Sequence, residues 1–324
     1  MPHAILITLL MLSSLLWTGG LVHAQAYPSK PIRWIVTYPP GGPTDLIARA
    51  VGAKLSVAWG QQVVIDNRAG AGGAIGTELA AKSVADGYTL LFGTSGGLTI
   101  NPALISTLPY DPVRDFAPVS LLVINPQILV VHPSVPVSTV KELVAYAKAR
   151  PSKLNYASVG QGSPNQLGME LLKTLTGIDL VHVPYKGTGP AVTDLLGGQV
   201  QLMFNSMPSV LPLVKTGKLK GLAVGSAHRS PAAPDIPTVA EAGVPGFENV
   251  TWYGMFAPAK TPAEIIARLN TEVVKILADP EMAQRFASQG SEPRSSTPAE
   301  LAAFMRVEAV RWGKVITAAG IKLE

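Results

Sequence analysis

The sequence has no cysteine among its 324 residues. This absence excludes disulfides, thiolate metal sites and cysteine nucleophiles together. Only 15% of the residues are charged and 47% are hydrophobic, which is typical of a globular chain and not of a disordered one. The length exceeds that of most single cores and predicts about two domains.

The sequence also has no concentrated cluster of basic residues, although its formal net charge is +5. Lysines and arginines are scattered, as at 148–153 and 215–220, and no aromatic residues are interleaved with them. A nucleic-acid interface would need basic residues gathered on one face, so we expect no nucleic-acid partner. A mildly basic surface is at most a weak aid to steering anionic ligands.

Motifs for catalysis and nucleotide binding are missing. Neither H-E-x-x-H nor G-x-S-x-G occurs, there is no phosphate loop, and the glycine-rich segment 69–76 resembles a dinucleotide fingerprint only loosely. His132, His182 and His228 are far apart in sequence, and Ser95 has no evident base. The sequence therefore predicts no enzyme, no metal site and no cofactor.

The first 24 residues have the composition of a cleavable signal peptide. An apolar run from Ala4 to Trp17 is followed by Val22-His23-Ala24, a small-x-small cleavage pattern. The alternatives are a membrane anchor, which the interrupted run disfavours, and cleavage after Ala26. No cysteine follows the run to carry a lipid. We therefore expect a protein exported to the periplasm.

Short β-branched runs alternate with helical patterns through the rest of the chain, which predicts an α/β fold with mostly parallel sheets flanked by helices. The predicted strands are 32–38, 62–66, 88–93, 119–124, 127–132, 154–158, 180–183, 200–205, 220–225 and 252–257. The predicted helices are 44–59, 73–84, 138–149, 164–176, 189–197, 208–216, 237–242, 262–278, 280–289 and 298–318.

Two apolar segments are candidate crossovers between domains. The segment 121–131 reads as two strands joined at Asn125-Pro126, and 252–258 is a matching run that would cross back. The predicted organisation is a signal peptide at 1–24, one lobe from 25–124 plus 251–324, and a second lobe at 125–250. A ligand cleft is expected between the lobes, because open α/β sheets bind ligands beyond the carboxyl ends of their strands.

Ile32–Ala48 is the most informative stretch, because it reads as strand, glycine loop and helix N-terminus. Such a junction leaves backbone N–H groups free at the positive end of a helix dipole, which suits an anion. The alternative is an ordinary βα turn that binds nothing. Thr44 is expected to cap the helix, and Asp45 to lie in its first turn or to accept hydrogen bonds from a ligand amine or hydroxyl.

A second junction of this kind, Ser158–Pro164, lies in the other predicted lobe. Its glycines allow close backbone approach, its serines supply hydroxyls, and Pro164 suits the first turn of a helix. Two helix N-termini that face one cleft would hold a small anion without any basic side chain. Tyr38 and Tyr185, which flank glycine loops, either contact the ligand or pack at the loop base.

These segments together resemble the substrate-binding proteins of tripartite tricarboxylate transporters, often called Bug proteins. The matching segments cover almost all of the chain after residue 24 and read YP and PI at 27–32, YPPGGPTD at 38–45, NRAGAGG at 67–73, DGYTL at 86–90, LPYDP at 108–112, HVPYKG at 182–187, PDIPT at 234–238 and EAG at 241–243.

The resemblance implies a type II-like periplasmic binding protein with two α/β lobes, which captures a small organic carboxylate and delivers it to membrane permease subunits. It also implies a monomer, and a sensor for two-component signalling is the alternative role. The ligand-binding candidates are Tyr38, Gly41, Gly42, Thr44, Asp45, Thr94, Ser95, Ser158, Gly162, Ser163, Tyr185, Gly187 and Asn205. In the family pattern, an Asp is common where this chain has Asn205 and a His where it has Asn165-Gln166, so the ligand class stays open.

Overall fold

The computed structural model describes residues 27–321, so the predicted signal peptide at 1–24 and its alternative cleavage after Ala26 lie outside the described residues. The strands are β1 (Ile32–Val36), β2 (Val63–Asn67), β3 (Thr89–Thr94), β4 (Phe116–Val131), β5 (Asn155–Ser158), β6 (Val181–Pro184), β7 (Leu202–Ser206), β8 (Lys220–Val224), β9 (Val250–Pro258) and β10 (Glu292–Pro293). The helices are α1 (Pro43–Trp59), α2 (Ala74–Ala81), α3 (Asn101–Leu104), α4 (Val140–Lys148), α5 (Pro164–Thr176), α6 (Thr188–Leu196), α7 (Met207–Lys215), α8 (Ala263–Leu277), α9 (Pro280–Ser288) and α10 (Pro298–Ala319).

The first half of the sheet contains the parallel strands β2, β1 and β3, followed by β9 and β4, which are antiparallel to their neighbours. Its core buries Trp34, Phe92 and Met255 completely, and α1 and α8 cover it with Val51, Leu269 and other apolar residues. Apolar side chains on both faces of β1 explain why its sequence is almost continuously hydrophobic.

The second half of the sheet is built on the last residues of β4. From Gln127 to Val131, β4 pairs antiparallel with β7, and Ile128–Val131 also pairs with β8. The parallel strands β5 and β6 extend this half, with β5 beside β7. Tyr156 and Phe204 are fully buried in its core. Both halves are therefore mixed sheets flanked by helices, which confirms the predicted α/β class.

Strand β4 is continuous through both halves, where the sequence predicted two strands, 119–124 and 127–132. It pairs with β9 as far as Pro126, opposite Val250, and changes partners at Gln127. Proline has no N–H to donate to a ladder, so this is a suitable point for the exchange of neighbours. The lobe boundaries 25–124 plus 251–324 and 125–250 stay a prediction, but the exchange lies beside them.

The C-terminal helix α10 contacts both halves, where the sequence predicted packing on the first lobe alone. Thr297 and Glu300 form a capping box at its start. Further along, Trp312 is fully buried in a cluster with Leu167 of α5 and Ile100. The helix thus contacts elements of both halves.

Two local predictions were wrong. The predicted helix 237–242 is a turn, because Thr238 forms a bridge with Val224 and its backbone N–H donates to Glu241 Oε2 at 2.9 Å. The segment 94–97, for which the sequence predicted a loop rich in glycine and serine, instead leads into a π-helix at Gly96–Ile100 and then into α3. None of the helices between residues 27 and 321 has the length and apolarity that a bilayer crossing requires.

We predict that Gly225→Ala lowers the free energy of unfolding by about 1–3 kcal/mol. Gly225 N donates to Gln127 O at 2.6 Å, and its carbonyl accepts from Asn249 N at 2.7 Å. A Cβ at Gly225 would lie 2.5 Å from Asn249 O, a backbone atom that cannot move cheaply. Urea denaturation measures the change.

Gly313→Ala in α10 is the matched control. No heavy atom lies within 4 Å of the Cβ it would gain. We expect stabilisation of about 0.5–1 kcal/mol, because alanine favours a helix interior over glycine. Equal effects of the two substitutions would contradict the packing account of Gly225.

Candidate functional site

A cavity of about 140 Å³ lies between the two halves of the molecule. It is lined by Tyr38, Pro43, Thr44, Thr94, Ser95, Gly96, Gln127, Val159, Pro164, Asn165, Thr188, Asn205, Ser206, Ser209, Thr251 and Tyr253. Every lining residue is uncharged, and most carry a hydroxyl or an amide. The cavity therefore offers neutral hydrogen-bonding groups from both halves of the sheet.

Four helices begin at this cavity. Pro43 and Pro164 are the first residues of α1 and α5, Thr188 is the first residue of α6, and Ser206 directly precedes α7. The first turn of a helix leaves backbone N–H groups without intrahelical partners, and its dipole is positive there. The backbone groups at these helix starts therefore favour a negatively charged group in the cavity.

Five of the predicted site residues line the cavity: Tyr38, Thr44, Thr94, Ser95 and Asn205. They come from the ends of β1, β3 and β7 and from the start of α1, as expected for the carboxyl ends of strands. The structure therefore brings together candidates that are up to 167 positions apart in sequence (205 − 38).

The start of α1 differs from its prediction in one respect. Gly42 occupies the cap position, Thr44 makes no capping hydrogen bond and the helix begins at Pro43. Proline fixes φ at a helical value and has no N–H to satisfy, so the helix begins before Thr44. Thr44 is free of the capping role and lines the cavity instead.

Asp45 lies behind the cavity and is buried, with 2% exposure. Its Oδ2 accepts from Gly41 N at 3.0 Å and from Arg49 Nε at 2.9 Å, so the carboxylate holds the glycine loop on the helix start. Burial by itself raises the pKa of Asp45, but hydrogen bonds from Arg49, Gly41 and Asn67 outweigh it and lower the pKa overall. Asp45 is therefore ionised and paired within the protein.

The second glycine loop is held by its own hydrogen bonds. Ser163 caps α5 by accepting from Gln166 N, and its hydroxyl donates to Gly160 O at 2.6 Å. Gly162 N donates to Gln166 Oε1 at 2.7 Å. Ser158 Oγ donates to Gly160 O at 3.0 Å. Ser158, Gly162 and Ser163 therefore shape the loop, while its Val159 reaches the cavity lining.

The remaining predicted residues surround the cavity without lining it. Tyr185 donates its hydroxyl to Asp194 Oδ2 at 2.7 Å, and burial and this carboxylate raise the pKa of Tyr185 to about 12. Gly187 is the cap of α6, and its φ of 117° favours glycine. Gly41 lines a neighbouring chamber. A direct part in ligand binding stays a prediction for these residues, as for Gly42, Asp45 and the serines of the second loop.

The sequence analysis missed a chain of amide side chains in the cavity wall. Gln127 Nε2 donates to Thr251 Oγ1 at 2.8 Å, and Asn165 Nδ2 donates to Phe204 O at 2.8 Å and to Gln127 Oε1 at 3.3 Å. Asn205 Oδ1 accepts from Ser206 N at 2.8 Å. The available signal was positional, because Gln127 lies in the predicted crossover 121–131 and Thr251 directly precedes the other, 252–258.

Two hydroxyls in the lining are fully buried and have no hydrogen-bond partner among residues 27–321, Ser95 Oγ and Ser206 Oγ. Each is a free donor and acceptor at the start of a helix. Two tyrosines complete the wall, and burial raises the pKa of both Tyr38 and Tyr253. Their hydroxyls are therefore neutral donors at physiological pH.

A serine and a histidine do meet near the site. Ser158 Oγ lies 2.7 Å from His182 Nε2, and His182 Nδ1 lies 3.2 Å from Gln166 Nε2. Ser158 is fully buried and lies outside the cavity lining, so this pair positions the second glycine loop. Residues 27–321 contain no cluster of three His, Asp or Glu side chains that could hold a metal ion.

Comparison with known proteins identifies the family of the chain. The sequence model of a protein family, the tripartite tricarboxylate transporter family receptor, matches residues 47–321. The chain belongs to this family. The receptor is 41% identical to Protein BugT of Bordetella pertussis over 311 residues, covering 95% of each chain. It is also 41% identical over 293 residues to a UPF0065 protein from the tcbD-tcbE intergenic region of Pseudomonas sp., covering 90% of this chain and 87% of that one.

Solved structures of similar proteins share the fold of the receptor. The structure of R. palustris Rpa4515 with adipate superposes with a TM-score of 0.85 at 40% identity, covering 91% of this chain and 99% of that chain. MatC (Rpa3494) from Rhodopseudomonas palustris with bound malate gives a TM-score of 0.80 at 34% identity, covering 90% and 100%. The periplasmic binding protein BugD gives 0.81 at 35% identity, covering 92% and 100%. The predicted family and two-lobed fold are confirmed.

We predict that the receptor loses stability as the pH falls below about 6.5, the ordinary pKa of histidine in an unfolded chain. Burial lowers the pKa of folded His182, Lys173 lowers it further, and Glu170 opposes both. The unfolded chain then binds a proton that the folded chain excludes, so the stability present above about pH 6.5 is lost towards lower pH.

Melting temperatures measured between pH 5 and 8 test this prediction. His182→Gln removes the titration, so its melting temperature should fall less steeply below pH 6.5 than that of the wild type. The control is His228→Gln, because His228 is exposed. A wild-type slope in the His182 variant would show that another group causes the loss.

Proposed function

We propose that the receptor is a periplasmic solute-binding protein that captures a small organic carboxylate and delivers it to the membrane subunits of a tripartite tricarboxylate-type transporter. The uncharged cavity at four helix N-termini carries this proposal. A carboxylate has four lone-pair sites, and free backbone N–H groups and hydroxyls can fill them. No basic side chain is required.

The cavity also favours an acid without an ammonium group. No carboxylate side chain lines it, and the nearest along α1, Asp45, already pairs with Arg49 and Gly41. A ligand ammonium would leave water without an anionic partner, and the positive helix ends would oppose it. Asn205 contributes to this preference, because it is a neutral amide in the lining.

The ligands of two relatives support the chemical class. R. palustris Rpa4515 was solved with adipate and MatC with malate, and the receptor is 40% and 34% identical to them. Both are small carboxylates without an amine. Because these ligands differ in length, the comparison supports the class and leaves the individual acid to experiment.

Ligand contacts from both halves give a physical basis for closure. Tyr38, Thr44 and Ser95 belong to the first half of the sheet and its helices, whereas Pro164 and Asn205 belong to the second. A ligand that contacts both halves only in the closed form shifts the equilibrium towards closure. A closed complex is the form that we propose the permease subunits recognise, with the receptor exported as a monomer to the periplasm.

A thermal-shift screen of the purified receptor against small carboxylates tests the proposed function. A ligand at 100 times its dissociation constant stabilises the folded state by about 2.7 kcal/mol, which raises the melting temperature by several degrees. If only neutral ligands raise it, the carboxylate assignment is wrong.

We predict that Asn205→Asp weakens binding of the best carboxylate from that screen by at least about tenfold. Two like charges about 5 Å apart repel by roughly 3 kcal/mol at an effective dielectric constant near 20. The variant should fold, because an aspartate keeps the oxygen that accepts from Ser206 N. Isothermal titration calorimetry measures the affinity.

Gln284→Glu is the control for Asn205→Asp, because Gln284 is exposed on α9 and adds the same charge outside the cavity. We expect wild-type affinity from it. Equal binding by wild type and Asn205→Asp would place the carboxylate elsewhere.

We predict that deletion of the gene abolishes uptake of the radiolabelled carboxylate and that a plasmid copy restores it. Intact uptake with lost gene induction would contradict the transport role and identify a sensor. The Asn205→Asp gene is the matched complementation control, because a receptor that folds but binds weakly should restore uptake poorly.

A further inference from the structure

We infer that His182 is a positioning residue for the second glycine loop, and that protonation of its imidazole releases this loop and weakens ligand binding. His182 begins the segment HVPYKG at 182–187, which the sequence analysis singled out, but it does not line the cavity. The effect on binding rests on the proposed function, whereas the effect on the loop can be measured without a ligand.

His182 lies beside the start of this loop. It belongs to β6, the outermost strand of the second half of the sheet, and pairs with Tyr156 in the parallel ladder of β5 and β6. The two rings stack with their centroids 4.9 Å apart. Strand β5 ends just beyond Tyr156, at Ser158, where the loop begins. The imidazole is therefore held against a buried ring at the base of the loop.

The hydrogen bonds of the loop assign one tautomer to His182. Gly162 N donates to Gln166 Oε1 at 2.7 Å, so the amide nitrogen of Gln166 faces the ring, with its Nε2 3.2 Å from His182 Nδ1. An amide nitrogen only donates, so Nδ1 carries no proton and accepts. The neutral ring then carries its proton on Nε2, which donates to Ser158 Oγ at 2.7 Å. Ser158 Oγ donates in turn to Gly160 O at 3.0 Å.

A protonated ring cannot make this set of hydrogen bonds. Its Nδ1 would carry a second N–H directed at Gln166 Nε2, so two donors would face each other. Rotation of the amide by half a turn would bring Gln166 Oε1 to the ring, but Nε2 would then face Gly162 N, which is also a donor. One hydrogen bond is lost in either arrangement, so protonation removes the support of the ring or the anchor of the loop.

The surroundings of the ring keep it neutral at physiological pH. Burial is the largest influence and lowers the pKa of His182. Among residues 27–321, the charged side chains that act on it are Glu170 and Lys173 of α5, which have opposite effects and form an ion pair of 3.0 Å with each other. Strand β5 contributes the phenol of Tyr156, which donates to Glu170 Oε1 at 2.5 Å. Protonation therefore occurs below the ordinary histidine pKa of about 6.5.

The loop reaches the cavity through the residues on either side of Gly162. Val159 in the loop and Asn165, the second residue of α5, both line the cavity. Gln166 directly follows Asn165, so a shift of Gln166 moves the helix N-terminus that faces the ligand. The neutral ring thus favours the form of the loop that binds, and the proton and the ligand oppose each other by the same factor.

The coupling of the ring to the loop is tested on the ligand-free receptor. NMR spectra recorded between pH 4.5 and 8 follow the imidazole of His182 and the backbone amide of Gly162. We expect both signals to move with one midpoint. The amide of Gly313, inside α10, is the control and should not follow that midpoint. Movement of the His182 signals without movement of Gly162 would overturn the inference.

Calorimetric titration with adipate and with malate tests the effect on binding. Relative to His182→Gln, the affinity of the wild type should fall about fivefold from pH 7.5 to pH 5, the value of one hydrogen bond. Because both proteins are titrated with the same acid, their ratio at each pH removes the ionisation of the acid itself. His228→Gln is the matched control, because His228 is exposed, and it should keep the wild-type profile.

Gln166→Glu should remove the fall in affinity. A glutamate keeps one oxygen for Gly162 N and gives a second oxygen that accepts from the protonated ring, so the loop stays anchored as the pH falls. The same NMR titration should show a higher pKa for His182 in this variant. Relative to His182→Gln, its affinity should not decrease towards pH 5. A retained wild-type profile would contradict the part played by Gln166.

These measurements separate the role of His182 from the proposed function. Coupled NMR signals with a constant affinity ratio would overturn the effect on binding and leave carboxylate capture intact. A receptor that binds no carboxylate of the thermal-shift screen at any pH would contradict the proposed function instead, and the NMR titration alone would then decide whether His182 positions the loop. Melting temperatures at pH 7.5 show whether each variant is folded.

Discussion

The antiparallel pair of β4 and β9 is the constraint on which the rest of the receptor depends. Both halves of the sheet hydrogen-bond to β4, and the exchange of partners at Pro126 places them on one continuous strand. Because each half fixes the strand ends from which its helices begin, this pair determines where four helix N-termini meet. In the ladder between β4 and β9, Pro126 lies opposite Val250. Gln127 and Thr251 directly follow these two residues, and the hydrogen bond between them connects the strand pair to the cavity wall.

The meeting of these helix ends favours an anion in the cavity without a basic side chain in its lining. A lysine or arginine would form a strong charge-assisted pair with a carboxylate, and dehydrating both groups carries a large cost. Backbone N–H groups and hydroxyls instead replace hydrogen bonds that the anion makes with water, for a modest net gain each. Binding of this strength suits a protein that must both capture and release its ligand.

Several side chains near the cavity hold the backbone of the two glycine loops in place. Asp45 fixes the first glycine loop through Gly41 N, and Gln166 fixes the second through Gly162 N. His182 Nε2 lies within hydrogen-bonding distance of Ser158 Oγ in the second loop. These contacts keep backbone groups in the orientation that an anion requires, so loss of such a residue would disorder the site without removing any group that faces the ligand.

The sequence alone determined the α/β class, most strand and helix positions, the family and the two glycine junctions, because these depend on local periodicity and turn chemistry. Five of thirteen candidate residues line the cavity, and Tyr38 and Thr44 come from the first junction. The tertiary structure decided the rest. Gln127, Asn165 and Thr251 have ordinary local sequences, and only strand pairing brings their side chains together. Such contacts between distant segments leave no periodic signal in either of them.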